Sequence, residues 1–205
     1  GVRDGVATVL LSRPERLNAL GNAPGGVYRS LMEALETADR DPDVRCVVLR
    51  GAGRAFSAGG DSQGVPKVTA RDWYWFLVEG DVDNERMREL RKPIIGAIHG
   101  FCYGAALMMA LHLDILIASE EARFGLMETR FGQPGADVLA YHVGPQWAKF
   151  MVLSGEMLTA AKAREIGLVL EVFPAQVFET KVYDLARRIA AMPTDGVIFN
   201  RNRKS

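Results

Sequence analysis

The chain has 205 residues, and its 25 lysines and arginines balance 25 aspartates and glutamates, so no net charge draws it toward a nucleic-acid backbone or an anionic membrane. Hydrophobic residues make up 48% and charged residues 24%, which is enough apolar material for one sizeable core and predicts a single globular domain whose partners are small molecules or copies of itself. His112 and Asp114 interrupt the longest apolar run, which argues against a membrane span; Cys46 and Cys102, each in an apolar stretch and without CxxC spacing, read as buried thiols of a reducing compartment, most simply cytoplasm.

In chain order, VATVLL (6–11) opens as a β-branched run of strand length. VYRSLMEALETADRD then sets Val27, Leu31, Leu35 and Ala38 on one side of a 3.6-residue period and stops at Asp41-Pro42, which predicts a helix laid on a sheet. RCVVLR (45–50), PIIGAI (93–98), DILIAS (114–119) and LVLEVF (168–173) are further predicted strands. TAAKAREIG begins with a capping threonine, Thr159, and ends at Gly167; AQVFETKVYDLARRIAAM is a longer amphipathic helix that runs out before Pro193. Alternation of strand and helix predicts an α/β fold, and no fixed-period repeat, low-complexity tract or linker divides it.

Two stretches are rich in small residues. GAGRAFSAGGDSQG (51–64) follows a predicted strand, yet matches neither G-x-x-x-x-G-K-[ST] nor G-x-G-x-x-G, which excludes the usual phosphate cradles. Its run Ser57–Gly60 lets backbone amides face a ligand, although a plain turn explains it equally. GFCYGAALMMALHLD (100–114) clears space at Gly104, Ala105 and Ala106, for a ligand or for a neighbouring helix. If each stretch presents one N–H toward a shared point, the pair forms an oxyanion hole, in which one donor is worth roughly 3 kcal/mol of barrier.

LSRPERLNAL, GAGRAFSAGGD, KPIIGAIHGFCYGAALMMALHLDILIAS, ARFGLMETRFGQPGA and AAKAREIGLVLEVFP together resemble the enoyl-CoA hydratase/isomerase (crotonase) family in order and spacing, over most of the chain. The resemblance implies a crotonase-like spiral of ββα units over 1–193, with 194–205 as the start of a C-terminal helical layer that looks truncated. It also implies acyl-CoA thioester substrates, no cofactor beyond their coenzyme A moiety, and a homotrimer or dimer of trimers. Carried over residue by residue, the oxyanion amides fall on Gly60 and Ala105. Leu17, Ala19, Ala58, Asp61 and Gly104 fall at positions that bind or adjoin the coenzyme A thioester. Arg16 and Arg54 suit phosphate, although solvated surface arginines explain them better.

The acids depart from the hydratase pattern. Glu128 in FGLME matches one of the family's two glutamates; the other belongs four residues after Gly104, where this chain carries Met108, which neither gives nor takes a proton. Hydration by two carboxylates is thereby in doubt, and isomerisation or other enolate chemistry with one acid/base is the alternative. Asp137, nine residues after Glu128, lies one residue out of register with the aspartate of some dienoyl-CoA isomerases and dehalogenases; a turn or helix-capping aspartate is the competing reading. His142 could join Asp137 in a hydrolase-like pair, while His99 and His112 read as structural, and no histidine or cysteine spacing suits a metal. A protein that binds acyl-CoA without turnover, or an aspartate-using branch, stands beside the enzyme reading. Trp73, Tyr74, Trp75 and Phe76 could line a bulky acyl pocket or simply pack.

Overall fold

A computed structural model describes residues 1–21, 27–61, 84–131 and 138–201. Strand β1 (Val2–Arg3) pairs antiparallel with β2 (Val6–Leu11), and the sheet continues in parallel through β3 (Cys46–Gly51), β4 (Ile94–Ile98), β6 (Ile115–Ser119) and β9 (Glu171–Phe173). A sheet of this kind buries both faces, so its strands read as continuous apolar runs instead of alternating ones. Cys46-Val47-Val48-Leu49 is such a run. Val47 and Leu49, with Ala7, Leu11, Ile94, Ile98 and Leu116, join the main core with Leu31 and Leu35 of α1 (Val27–Arg40). Cys46 and Val48, with Val6, Ile95 and Ile117, meet Val182, Ala186 and Ala190 of α6 (Ala175–Ala190) on the other face.

A second, three-stranded sheet consists of β5 (Phe101–Tyr103), β7 (Arg123–Gly125) and β8 (Leu158–Thr159), with β5 and β7 parallel. Helical residues 84–89 (α2) precede β4, α3 (Ala105–Ala110) follows β5 directly, and 3₁₀ turns cover Pro14–Arg16 and Glu128–Phe131. The remaining helices are α4 (Leu139–Ser154), α5 (Ala160–Glu165) and α7 (Thr194–Arg201). Thr159 caps α5 by accepting a hydrogen bond from the Lys162 amide, and Gly167 lies beyond its end at φ +83°, as the sequence predicts.

One predicted strand is shorter than expected. Only Glu171–Phe173 of LVLEVF pairs, because the Leu168 and Val169 amides turn back to the Ala163 carbonyl and bury their side chains under α5. Helix α4 was not evident in the sequence: Gly144, at φ 77° and ψ 163°, and Pro145 interrupt its periodicity, so two shorter helices meet at a kink. Among the described residues no helix is long and apolar enough to cross a membrane.

Candidate active site

The two sheets are joined where their glycine-rich turns lie side by side. Ser57 and Cys102 form a parallel bridge, in which the Ser57 amide donates to the Phe101 carbonyl at 2.9 Å and the Tyr103 amide to the Ser57 carbonyl at 3.2 Å. Gly60 and Ala105 each lie three residues past that bridge, so the two segments advance in step. Their proximity is direct: a Cβ on Gly59 would lie 2.4 Å from the Tyr103 carbonyl oxygen and 3.4 Å from the Ala105 amide nitrogen. Only glycine fits there.

Within 57–61 the amides divide sharply. Ala58 donates to the Leu17 carbonyl at 2.9 Å, Gly59 to Ser57 Oγ at 3.1 Å and Asp61 to the Leu20 carbonyl at 2.9 Å. Among the described residues the Gly60 amide donates to no group of the fold. The Gly59 carbonyl accepts from the Leu20 amide at 2.7 Å, and in a planar trans peptide the following N–H points the opposite way. The Gly60 N–H therefore faces away from Leu20. Residue 60 is exposed, and a Cβ there would meet nothing within 4 Å. By the same logic the Gly104 carbonyl accepts from the Met108 amide at 3.0 Å inside α3, so the Ala105 N–H points back out of the helix start. Gly104 permits that entry at φ 53° and ψ −127°, a region closed to residues with a Cβ.

The third component is an acid. The Gly104 amide donates to the Gly125 carbonyl at 2.9 Å, which ties α3 to the strand leading into the 3₁₀ turn of Glu128. A Cβ on Gly104 would lie 2.6 Å from Glu128 Oε1, so the carboxylate presses on the residue next to the Ala105 amide. Burial pushes the Glu128 carboxyl above its ordinary value, only partly offset by its own backbone amide, and its Oε2 is buried with no hydrogen-bond partner among the described residues. A protonatable carboxyl against Gly104, with amides at 60 and 105 that meet no acceptor among the described residues, is an arrangement able to move protons next to a carbonyl whose oxygen gains charge. Thr129 Oγ1 donates to the Val152 carbonyl at 2.7 Å and tethers this turn to α4.

A family model described as enoyl-CoA hydratase/isomerase matches residues 1–201. The chain belongs to that family. It is 36% identical to the 2,3-dehydroadipyl-CoA hydratase of Escherichia coli K12, with 90% of this chain and 72% of that protein covered. It is 32% identical to the mitochondrial enoyl-CoA hydratase of Pongo abelii over 93% of this chain and 66% of that protein, so it spans about two thirds of that relative's length. An enoyl-CoA hydratase/isomerase structure from Xanthobacter autotrophicus Py2 superposes with a TM-score of 0.89 at 34% identity, with 98% of this chain and 76% of that chain covered. The crotonase α/β fold follows.

The residues expected to line a family thioester site are neighbours in space. Leu17 takes the Ala58 amide on its carbonyl, Ala19 is 7% exposed, and Leu20 bridges to Gly60. Asp61 meets Arg13 Nη1 at 3.3 Å and Arg16 Nη2 at 3.5 Å, which gives Arg16 a carboxylate partner beside the site. Met108, one turn into α3, packs its thioether on the core. Asp137 and the aromatic run 73–76 lie outside the described residues. His142 lies by the Leu111 carbonyl, and burial, with Arg88 and His112 nearby, lowers its affinity for protons. His112 Nδ1 meets the Met108 carbonyl at 3.0 Å and His99 Nε2 the Gly53 carbonyl at 3.0 Å, both structural contacts. Two clefts of about 490 and about 380 Å³ open beside β1 and α6, lined in part by Asp4 and Arg187; neither includes Gly60, Ala105 or Glu128.

Sequence reasoning passed over the side chains of Asn18 and Ser57, both wholly buried. Asn18 Nδ2 donates to the Ala52 and Ala55 carbonyls, each at 2.8 Å, while its Oδ1 accepts from the Arg13 amide at 2.9 Å. A polar residue in the middle of LNAL, flanked by apolar ones, was the signal available: a buried carboxamide needs several fixed partners.

Proposed function

We propose that this protein is an acyl-CoA-processing enzyme in which the thioester oxygen lies between the Gly60 and Ala105 N–H groups and Glu128 is the acid/base. Glu128 takes a proton from the carbon next to the thioester carbonyl, the electron pair moves onto the oxygen as an enolate, and the same carboxyl returns the proton along the acyl chain. The net change is a shifted double bond. The observation that carries this reading is the Glu128 carboxylate pressed against Gly104, one residue before an amide with no acceptor among the described residues. Met108 offers no second carboxylate, which favours isomerisation over water addition. Leu17, Ala19, Ala58 and Asp61 would flank the coenzyme A arm, which needs no further cofactor. Domain limits of 1–193 and 194–205, a homotrimer or dimer of trimers and a cytoplasmic location belong to the same reading; exposed Phe150, Leu153 and Met157 offer apolar surface for assembly.

The test is solvent-deuterium exchange at the carbon beside the thioester carbonyl of a 3-enoyl-CoA. Wild-type protein is expected to exchange it and to add water to crotonyl-CoA slowly or not at all. Glu128→Gln keeps shape and removes basicity, so exchange should fall roughly a hundredfold with binding nearly kept. Exchange at the wild-type rate in Glu128→Gln would remove that residue from the mechanism.

A further inference from the structure

An oxyanion donor acts only if its N–H is aimed before the reaction begins, and nothing in the Gly60 side chain does the aiming. The direction is inherited from the preceding peptide, whose carbonyl is held by the Leu20 amide at 2.7 Å. Gly59 itself, at φ +92°, belongs to the most permissive residue type in the chain, so its conformation needs an outside restraint. Ser57 supplies one. Its hydroxyl donates to the Asn18 carbonyl at 2.8 Å and accepts from the Gly59 amide at 3.1 Å, so a single buried side chain clasps the Gly60 loop to the segment that carries Leu20. Asn18 in turn pins that segment to the Ala52 and Ala55 carbonyls, upstream in the same loop. Asn18 adopts φ +55°, a left-handed conformation that asparagine enters more readily than most residues.

Resting on the enolate reading above, we propose that Ser57 and Asn18 are positioning residues that aim the Gly60 N–H at the thioester oxygen, although neither touches substrate. Loss of the hydroxyl orphans the Gly59 N–H and the Asn18 carbonyl in a dry interior, so the Ala58–Gly59 peptide turns to recover partners and the segment whose Leu20 amide holds the Gly59 carbonyl loosens. The permissive Gly59 passes both changes to the Gly59–Gly60 peptide, which carries the Gly60 N–H. The oxygen then keeps the Ala105 donor and loses the second, which weakens the transition state more than the bound substrate.

The experiment is isotope-edited infrared spectroscopy of an enoyl-CoA labelled with ¹³C at the thioester carbonyl and bound to folded protein, together with steady-state kinetics. Wild type should lower the carbonyl stretch relative to free thioester. Ser57→Ala should recover roughly half of that shift, with kcat down about tenfold to a hundredfold and KM little changed. Ser57→Cys, which keeps a weaker donor and acceptor at the same place, should fall between the two and decides the matter if Ser57→Ala does not fold. A wild-type carbonyl shift and kcat in a folded Ser57 variant would overturn the positioning role alone. No shift in wild type would overturn the oxyanion assignment, and the positioning role with it.

Discussion

Glu128 keeps a carboxyl in surroundings that disfavour its charge, and that has a stability consequence separate from chemistry. Its proton affinity is raised in the folded state above the ordinary value of 4.5, so the folded protein holds that proton in a pH window where the unfolded chain has released it. Stability therefore declines as pH rises from about 4.5 through the raised value, and what is lost there is missing at higher pH. Glu128→Gln is expected to raise the thermal midpoint at pH 7 while abolishing that part of the pH dependence. A lower midpoint at pH 7 than wild type would show that the carboxylate has a stabilising partner. FGLME made this residue legible as an acid, but not its pressure on Gly104, because a contact across 24 residues of chain depends on how β5 and β7 pair. The buried roles of Asn18 and Ser57 were illegible for the same reason: their hydrogen bonds join two stretches, 13–18 and 51–61, that are far apart in the chain.

At the level of elements, the parallel strands were readable because burial on both faces leaves a run with no polar interruption, as in Val47-Val48-Leu49. Strands β5, β7 and β8, of two or three residues each, are too short to leave a periodic trace. How α1 ends depends on a residue far from it. Lys92 is 7% exposed and its Nζ donates to the Ala38 carbonyl at 3.0 Å and to the Asp41 carbonyl, at the C-terminal turn of α1. Burial lowers the affinity of Lys92 for its proton, against which Asp39 and Asp41 act. Lys92→Met keeps the apolar stem, orphans the Ala38 carbonyl and leaves the Asp41 carbonyl with only the Val44 amide, which should cost about 1–3 kcal/mol in denaturant unfolding. An unchanged midpoint would mean that water replaces the ammonium there.

For the molecule as a whole, the two faces of the main sheet are two hydrophobic clusters divided by its strands, and each cysteine occupies dry interior. Cys46 and Cys102 are both 0% exposed; burial, with the charge of Asp114 second, pushes the Cys46 thiol up to about 12, and burial pushes Cys102 up as well. Neither is expected to react with an aromatic disulfide reagent at pH 8 until the protein opens, so labelling should follow global unfolding as denaturant rises. Rapid labelling of one thiol under native conditions would show that one cluster opens independently of the other.

The bridge between Ser57 and Cys102 works as a common origin from which two arms are measured, each three residues long, to Gly60 and to Ala105. In the proposed reaction both groups that face the thioester oxygen are main chain, so the length of the arms sets their spacing, and adding or deleting one residue in either arm would desynchronise the pair. On that reading, a point substitution among the acids around the pair would redirect the chemistry without rebuilding the scaffold, whereas a change in chain length would be tolerated only beyond the ends of the arms.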